Sequence, residues 1–171
     1  MNERILLALD FGGTKLSAAV VRAGKREWRG HDRVFSPPDA DAESDVQMML
    51  GLADGLLNGE RPAAIGVSFG GPVDFTRGLV RLSHHVRGWE NVPLRRLLQE
   101  HFEAPAAVDN DANVAALGEQ QYGAGRVDAA TFVQHMLYVT VSTGVGGGWI
   151  LNGRPWRGAE GMAGEIGHTV V

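Results

Sequence analysis

The chain has no cysteine, which excludes a disulfide framework and any thiolate metal site built from its own residues. It also lacks a surplus of positive charge. Its 16 Lys and Arg stand against 20 Asp and Glu, a net charge of −4, and that balance argues against a nucleic-acid partner. No apolar run approaches the roughly 20 residues that span a bilayer. The start, Met1-Asn-Glu-Arg4 ahead of a short apolar run, has no signal-peptide core. These absences lead us to expect a cytoplasmic protein with neither membrane nor nucleic acid among its partners. Internal repeats and low-complexity tracts are missing as well. What is left is an ordinary globular composition, 44% hydrophobic and 21% charged over 171 residues. That is enough for one domain, or for one domain and part of another.

Glycine is the residue in excess, with 24 copies gathered in a few clusters. Clustered glycine points to turns where a backbone comes close to a ligand. Ile5 to Leu9 is a continuous apolar run, as expected of a buried strand, and it ends in Asp10-Phe-Gly-Gly-Thr-Lys15. A second strand-like run, Leu16 to Val21, follows almost at once, so the glycines form a hairpin turn. A third strand is expected over Glu27 to Phe35, closed by Pro37-Pro38. Apolar residues from Val46 to Leu57 recur on one helical face, and Ser44 with Gln47 has capping-box spacing. Asn58-Gly59 supplies the stop. Ala63 to Phe69 reads as a strand, Pro93 to Phe102 as a helix with Pro93 in its first turn, Ala106 to Asp109 as a strand and Asp111 to Tyr122 as a helix.

The order β-β-β-α-β-α-β-α predicts an α/β fold of the ribonuclease-H-like (actin-like ATPase) type, with three antiparallel strands and then alternating helix and strand. The expected domains are 1–122 and 123–171, the second being the first part of another α/β domain. Gly123 to Arg126 is the candidate hinge between them. Met136 to Ser142 and Gly148 to Leu151 then read as a hairpin that opens the second domain.

A dinucleotide or P-loop site needs a helix directly after its glycines, and here a strand follows. In a hairpin turn the backbone N–H groups of Gly12, Gly13 and Thr14 can converge on a phosphate, and the Thr14 hydroxyl adds a donor. Asp10 is a candidate for holding Mg²⁺ through water. A second cluster, Val141 to Gly148, repeats the strand–glycine–strand form and again carries a threonine, Thr143. Either cluster alone also serves as an ordinary turn; the pair favours two phosphate turns. Val108-Asp-Asn-Asp-Ala-Asn113 joins a strand to a helix. A carboxylate there is stabilised in its ionised form by the helix dipole and can take a proton from a sugar hydroxyl. The same residues also suit simple helix capping.

In order along the chain, Asp10 to Lys15, Gly66 to Pro72, Asn110 to Asn113 with Ala115 to Glu119, Thr143 to Gly148, and Gly158 to His168 resemble the motifs of the ROK family of repressors and sugar kinases. The resemblance implies ATP-dependent phosphorylation of a hexose, with glucose the first candidate. Asp111 matches the general base. Gly71, Asn110, Asp111, Glu165 and His168 match the sugar site, and Ser83 is a further candidate contact. Asp10, Gly12, Gly13, Thr14, Lys15, Thr143 and Gly144 match the ATP and Mg²⁺ side. In the family His168 also binds a structural Zn²⁺ together with cysteines. This chain has none, so Zn²⁺ is expected only in a longer protein. A non-enzymatic sugar-binding regulator is the alternative reading. The sequence stops short of the family's length, so the 171-residue chain alone is expected to turn over poorly. Unpaired strand edges beyond about Gly125 are expected to favour a homodimer or disorder.

Overall fold

The computed structural model describes residues 4–141 and 144–168. They fall into two compact units, Met1–Asp109 and Asn110–Val171. The first is built on a five-stranded sheet. Strand β1 (Ile5–Phe11) turns into β2 (Lys15–Arg22), which turns into β3 (Trp28–Phe35); helix α1 (Ala42–Leu57) then leads to β4 (Ala64–Phe69). Two short strands, β5 (Val73–Asp74) and β6 (Leu79–Val80), make a separate hairpin. Helix α2 (Leu94–Phe102) and strand β7 (Ala106–Asn110) follow. The sheet order is β3-β2-β1-β4-β7. The first three strands are antiparallel and β4 runs parallel to β1, which is the expected ribonuclease-H-like arrangement.

Alternation places the core. Ile5, Leu7, Leu9 and Phe11 of β1 are buried, as are Leu16, Ala18 and Val20 of β2 and Ile65, Val67 and Phe69 of β4. Val46, Met49, Ala53 and Leu57 of α1 and Leu94, Leu98 and Phe102 of α2 belong to the same core. Each of these Val, Leu, Ile, Met and Phe side chains contributes about 1.5–3 kcal/mol by leaving water. β1 is nevertheless not buried on both faces, since Ala8 is exposed.

The expected start of α1 needs correction. Asp41, not Ser44, is the N-cap: its backbone is extended (φ −125°) and its carboxylate accepts the Ser44 N–H at 2.9 Å and the Ser44 hydroxyl at 2.7 Å. The stop holds as read, with Asn58 in the left-handed region (φ 48°) and its N–H on Asp54 O.

In the second unit, helix α3 (Asp111–Tyr122) packs on an antiparallel sheet of β8 (Met136–Val141), β9 (Val145–Leu151) and β10 (Arg154–Trp156), in the order β10-β9-β8. That packing groups α3 with β8, β9 and β10 in the second unit. The fit depends on small residues. A Cβ on Gly148 would lie 2.5 Å from Ala112 O and 2.7 Å from Ala116 Cβ. Gly148 therefore lets the helix close on the sheet, and the strand begins at Val145, earlier than the expected Gly148.

The candidate hinge at 123–126 is a bonded clasp. The N–H groups of Gly123 and Gly125 both donate to Glu119 O, and Val133 N–H donates to Gly125 O. The Arg126 guanidinium donates to the carbonyls of Gln121, Asp128 and Ala129 at 3.0–3.1 Å. Among the described residues no helix is long and apolar enough to cross a membrane.

Candidate active site

Three segments of the first unit converge at the ends of β1 and β4. The turn after β1 is tight: Gly12 N–H donates to Lys15 O at 3.1 Å, and Thr14 O accepts the Ser36 N–H. This takes one of the three expected amide donors to a phosphate out of play. The turn's remaining amides are those of Gly13 and Thr14, and among the described residues neither donates to a protein acceptor. Gly70 N–H bonds to Phe11 O, tying the second segment to the first. Gly71 lies against the third, because a Cβ there would sit 2.8 Å from Leu82 O, and Arg81 N–H reaches Pro72 O. Beneath these loops Trp89 is fully buried, with its ring centroid 5.6 Å from that of Phe11 and 4.7 Å from that of Phe69. This aromatic group fixes the ends of both strands, and the Gly88-Trp89 pair in an otherwise polar loop was its only trace in the sequence.

Ser83 shapes the loop and keeps its O–H free to donate. Its Oγ accepts the N–H groups of His85 and Val86 at 3.2 Å each. That turn lays the exposed His85 ring over Gly13, where a Cβ would lie 2.8 Å from His85 Cδ2. Asp10 is half-buried at the end of β1. Among the described residues no protein donor holds its carboxylate, which fits a water-mediated Mg²⁺ role. The two open amides of the turn fit a phosphate.

In the second unit, Asn110 caps α3. Its side-chain oxygen accepts the N–H groups of Ala112 at 3.0 Å and Asn113 at 3.3 Å. Asp111 is exposed in the first turn, and its carboxylate accepts Ala112 N–H at 2.8 Å. Capping and the catalytic placement are thus compatible: Asn110 supplies the cap and Asp111 stands beside it at the positive end of the helix dipole.

The Glu165-to-His168 segment is pinned to β9. A Cβ on Gly164 would fall 2.0 Å from Gly147 O, one on Gly167 would fall 2.4 Å from Val145 O, and Ile166 packs where a Gly147 side chain would be. Gly146 and Gly148 face α3 while Gly147 faces Ile166, so α3 and the 164–167 segment lie against the two faces of β9. Of the second turn, Gly144 is exposed with open space about it; Thr143 lies outside the described residues. His168 Nε2 stands 3.9 Å from Glu165 Oε2. Among the described residues no three His, Cys, Asp or Glu side chains gather as a metal site.

The ROK family profile matches residues 6–171. The chain belongs to the ROK family. A glucokinase of Halalkalibacterium halodurans is 36% identical over 182 residues, which is all of this chain and 51% of that protein. The solved ROK glucokinase of Streptomyces griseus, in complex with glucose and AMPPNP, superposes with a TM-score of 0.82 at 32% identity, over 98% of this chain and 51% of that one. A putative xylose repressor of Caldicellulosiruptor sp. is 40% identical over 107 residues, 63% of this chain and 25% of that protein. The chain thus spans about half the length of its ROK glucokinase relatives, and the family it belongs to includes both kinases and repressors. The actin-like ATPase fold expected from the strand order is that of its ROK neighbours.

Proposed function

We propose that this chain carries the phosphate-facing turns and the general base of an ATP-dependent hexose kinase, with residues 1–122 and 123–171 contributing to two lobes of the longer enzyme. The observation that carries the reading is Asp111 at the first turn of α3, with its carboxylate steadied by Ala112 N–H at 2.8 Å beside the Asn110 cap. ATP with Mg²⁺ supplies a transferable phosphoryl group and neutralises its charge. Asp111 takes the proton of the acceptor hydroxyl as that oxygen bonds to the terminal phosphorus, the phosphorus–oxygen bond to ADP breaks, and ADP leaves with the electron pair. Gly13, Thr14 and Lys15 bind phosphate oxygens from the first turn, and Thr143 and Gly144 from the second. Asn110, Glu165 and His168 hydrogen-bond the sugar, with the Gly71 backbone alongside. Asp10 faces the metal through water.

The kinship to a putative xylose repressor over 107 residues favours a second reading, a sugar-binding regulator without turnover. Hexose-dependent ADP formation separates the two, measured for the 171-residue chain and for the chain continued to the length of its relatives. The continued chain is expected to turn over and the short chain to do so poorly. Asp111→Asn should lower turnover by roughly 10²–10⁴-fold, the usual worth of a general base, while glucose binding persists. Unchanged turnover in Asp111→Asn would remove Asp111 from the chemistry, and hexose binding without ADP formation in the continued chain would favour the regulator.

A further inference from the structure

We infer that His85 is a phosphate ligand of the first turn, its ring N–H donating to an oxygen of the same terminal phosphate that the Gly13 and Thr14 amides hold. This rests on the phosphate reading of that turn and adds a residue to it. The ring fills the space a side chain on Gly13 would need: a Cβ there would meet His85 Cδ2, Cγ and Cβ at 2.8, 2.9 and 3.0 Å. The loop that presents it is fixed from both sides. Ser83 Oγ holds the N–H groups of His85 and Val86, while Val86 and Trp89 are buried in the core. The ring itself is exposed.

An apolar side chain would cover Gly13 equally well and would serve if packing were the whole purpose. An imidazole brings an N–H donor to the rim of a turn whose two open amides already favour an anion. The ligand class is therefore the terminal phosphate of an oligophosphate, either nucleoside-borne or inorganic.

The test uses the whole 171-residue chain and nuclear magnetic resonance. The His85 ring signals, assigned by their loss in His85→Asn, and the Gly13 and Thr14 amide signals are followed as AMPPNP, tripolyphosphate or glucose is added. Both sets should move with a phosphate probe and the ring should stay put with glucose alone. Movement with both phosphate probes would mark a phosphate site indifferent to the nucleoside; movement with AMPPNP alone would mark a nucleotide site. His85→Ala should weaken binding of the effective probe by roughly three- to tenfold, the worth of one hydrogen bond, and His85→Gln, which retains an N–H donor, by less. Amides that move while the ring does not, or a ring that moves with glucose alone, would overturn the inference and leave the phosphate turn standing. Amides that ignore every phosphate would overturn the turn's phosphate role and the His85 inference with it.

Discussion

Asn110 is asked to do two jobs, and substitution can separate them. Its side-chain oxygen accepts the N–H groups of Ala112 and Asn113 at the start of α3, at 3.0 and 3.3 Å. Removing such a cap costs about 1 kcal/mol, with a range of 0.5–2. For a unit of roughly 60 residues that corresponds to about 4–8 °C in Tm. Asn110→Ala should therefore melt the second unit several degrees lower and weaken hexose binding as well. Asn110→Asp keeps an acceptor oxygen in the same place and adds negative charge at the positive end of the helix, which is favourable by about 0.3–1 kcal/mol. Its Tm should exceed that of Asn110→Ala. The same change deletes the amide donor and sets a second carboxylate next to Asp111, so hexose binding should fall by about tenfold or more, as expected when one hydrogen bond is replaced by an unfavourable polar contact. Circular dichroism melts report the first quantity and calorimetric titration with glucose the second. An Asn110→Asp protein that melts as low as Asn110→Ala would refute the cap argument, and one that binds glucose normally would refute the sugar contact.

Two glycines in the same unit should respond in opposite directions. Gly148→Ala drives a methyl to 2.5 Å from Ala112 O and should destabilise by about 1–3 kcal/mol or more as overpacking, whereas Gly118→Ala, with open space about its Cβ on α3, should stabilise by about 0.5–1 kcal/mol; denaturant melts in which both move the same way would contradict the close packing of α3 on β9. Asp41 offers a pH test, because the Ser44 N–H and hydroxyl that donate to its carboxylate hold it below the ordinary carboxylate range. A lowered folded-state value means that stability is present above about pH 4 and is lost as pH falls through the lower value, so acid melts should be steeper for the unaltered chain than for Asp41→Asn, which keeps a capping oxygen that does not titrate.

What could be read from the sequence and what could not divide along a physical line. The β1–β2 turn was legible because apolar strands flank its glycines, and α3 because a capping residue and a change of period coincide at Asn110. The start of α1 was missed by one turn, since Ser44-to-Gln47 spacing imitates a capping box while Ser44 itself donates to the true cap, Asp41. β5 and β6 went unseen because two-residue strands carry no period. The glycines at 146–148 were taken with the second phosphate turn, yet Gly147 and Gly148 are buried and serve close packing against Ile166 and α3; composition alone does not distinguish a glycine that admits a ligand from one that admits a helix.

The roles most exposed to error were those that depend on partners distant in sequence. Ser83 and Gly12 both match candidate ligand-binding positions, and in both part of the bonding capacity is spent within the protein: the Ser83 Oγ accepts two amides while its O–H remains to donate, and the Gly12 N–H closes its own turn. His85 shows the converse. Nothing adjacent to it in sequence suggests a phosphate, and its place over Gly13 follows only once β1 and β4 lie side by side and Trp89 pins the returning loop beneath them. A motif therefore identifies which backbone can reach a ligand, whereas the hydrogen-bond accounting of the folded chain decides which of its donors remain available to do so. On the proposed reading the first turn offers the Gly13 and Thr14 amides, Lys15 and the His85 ring, a donor set that differs from the motif at one position and extends it at another.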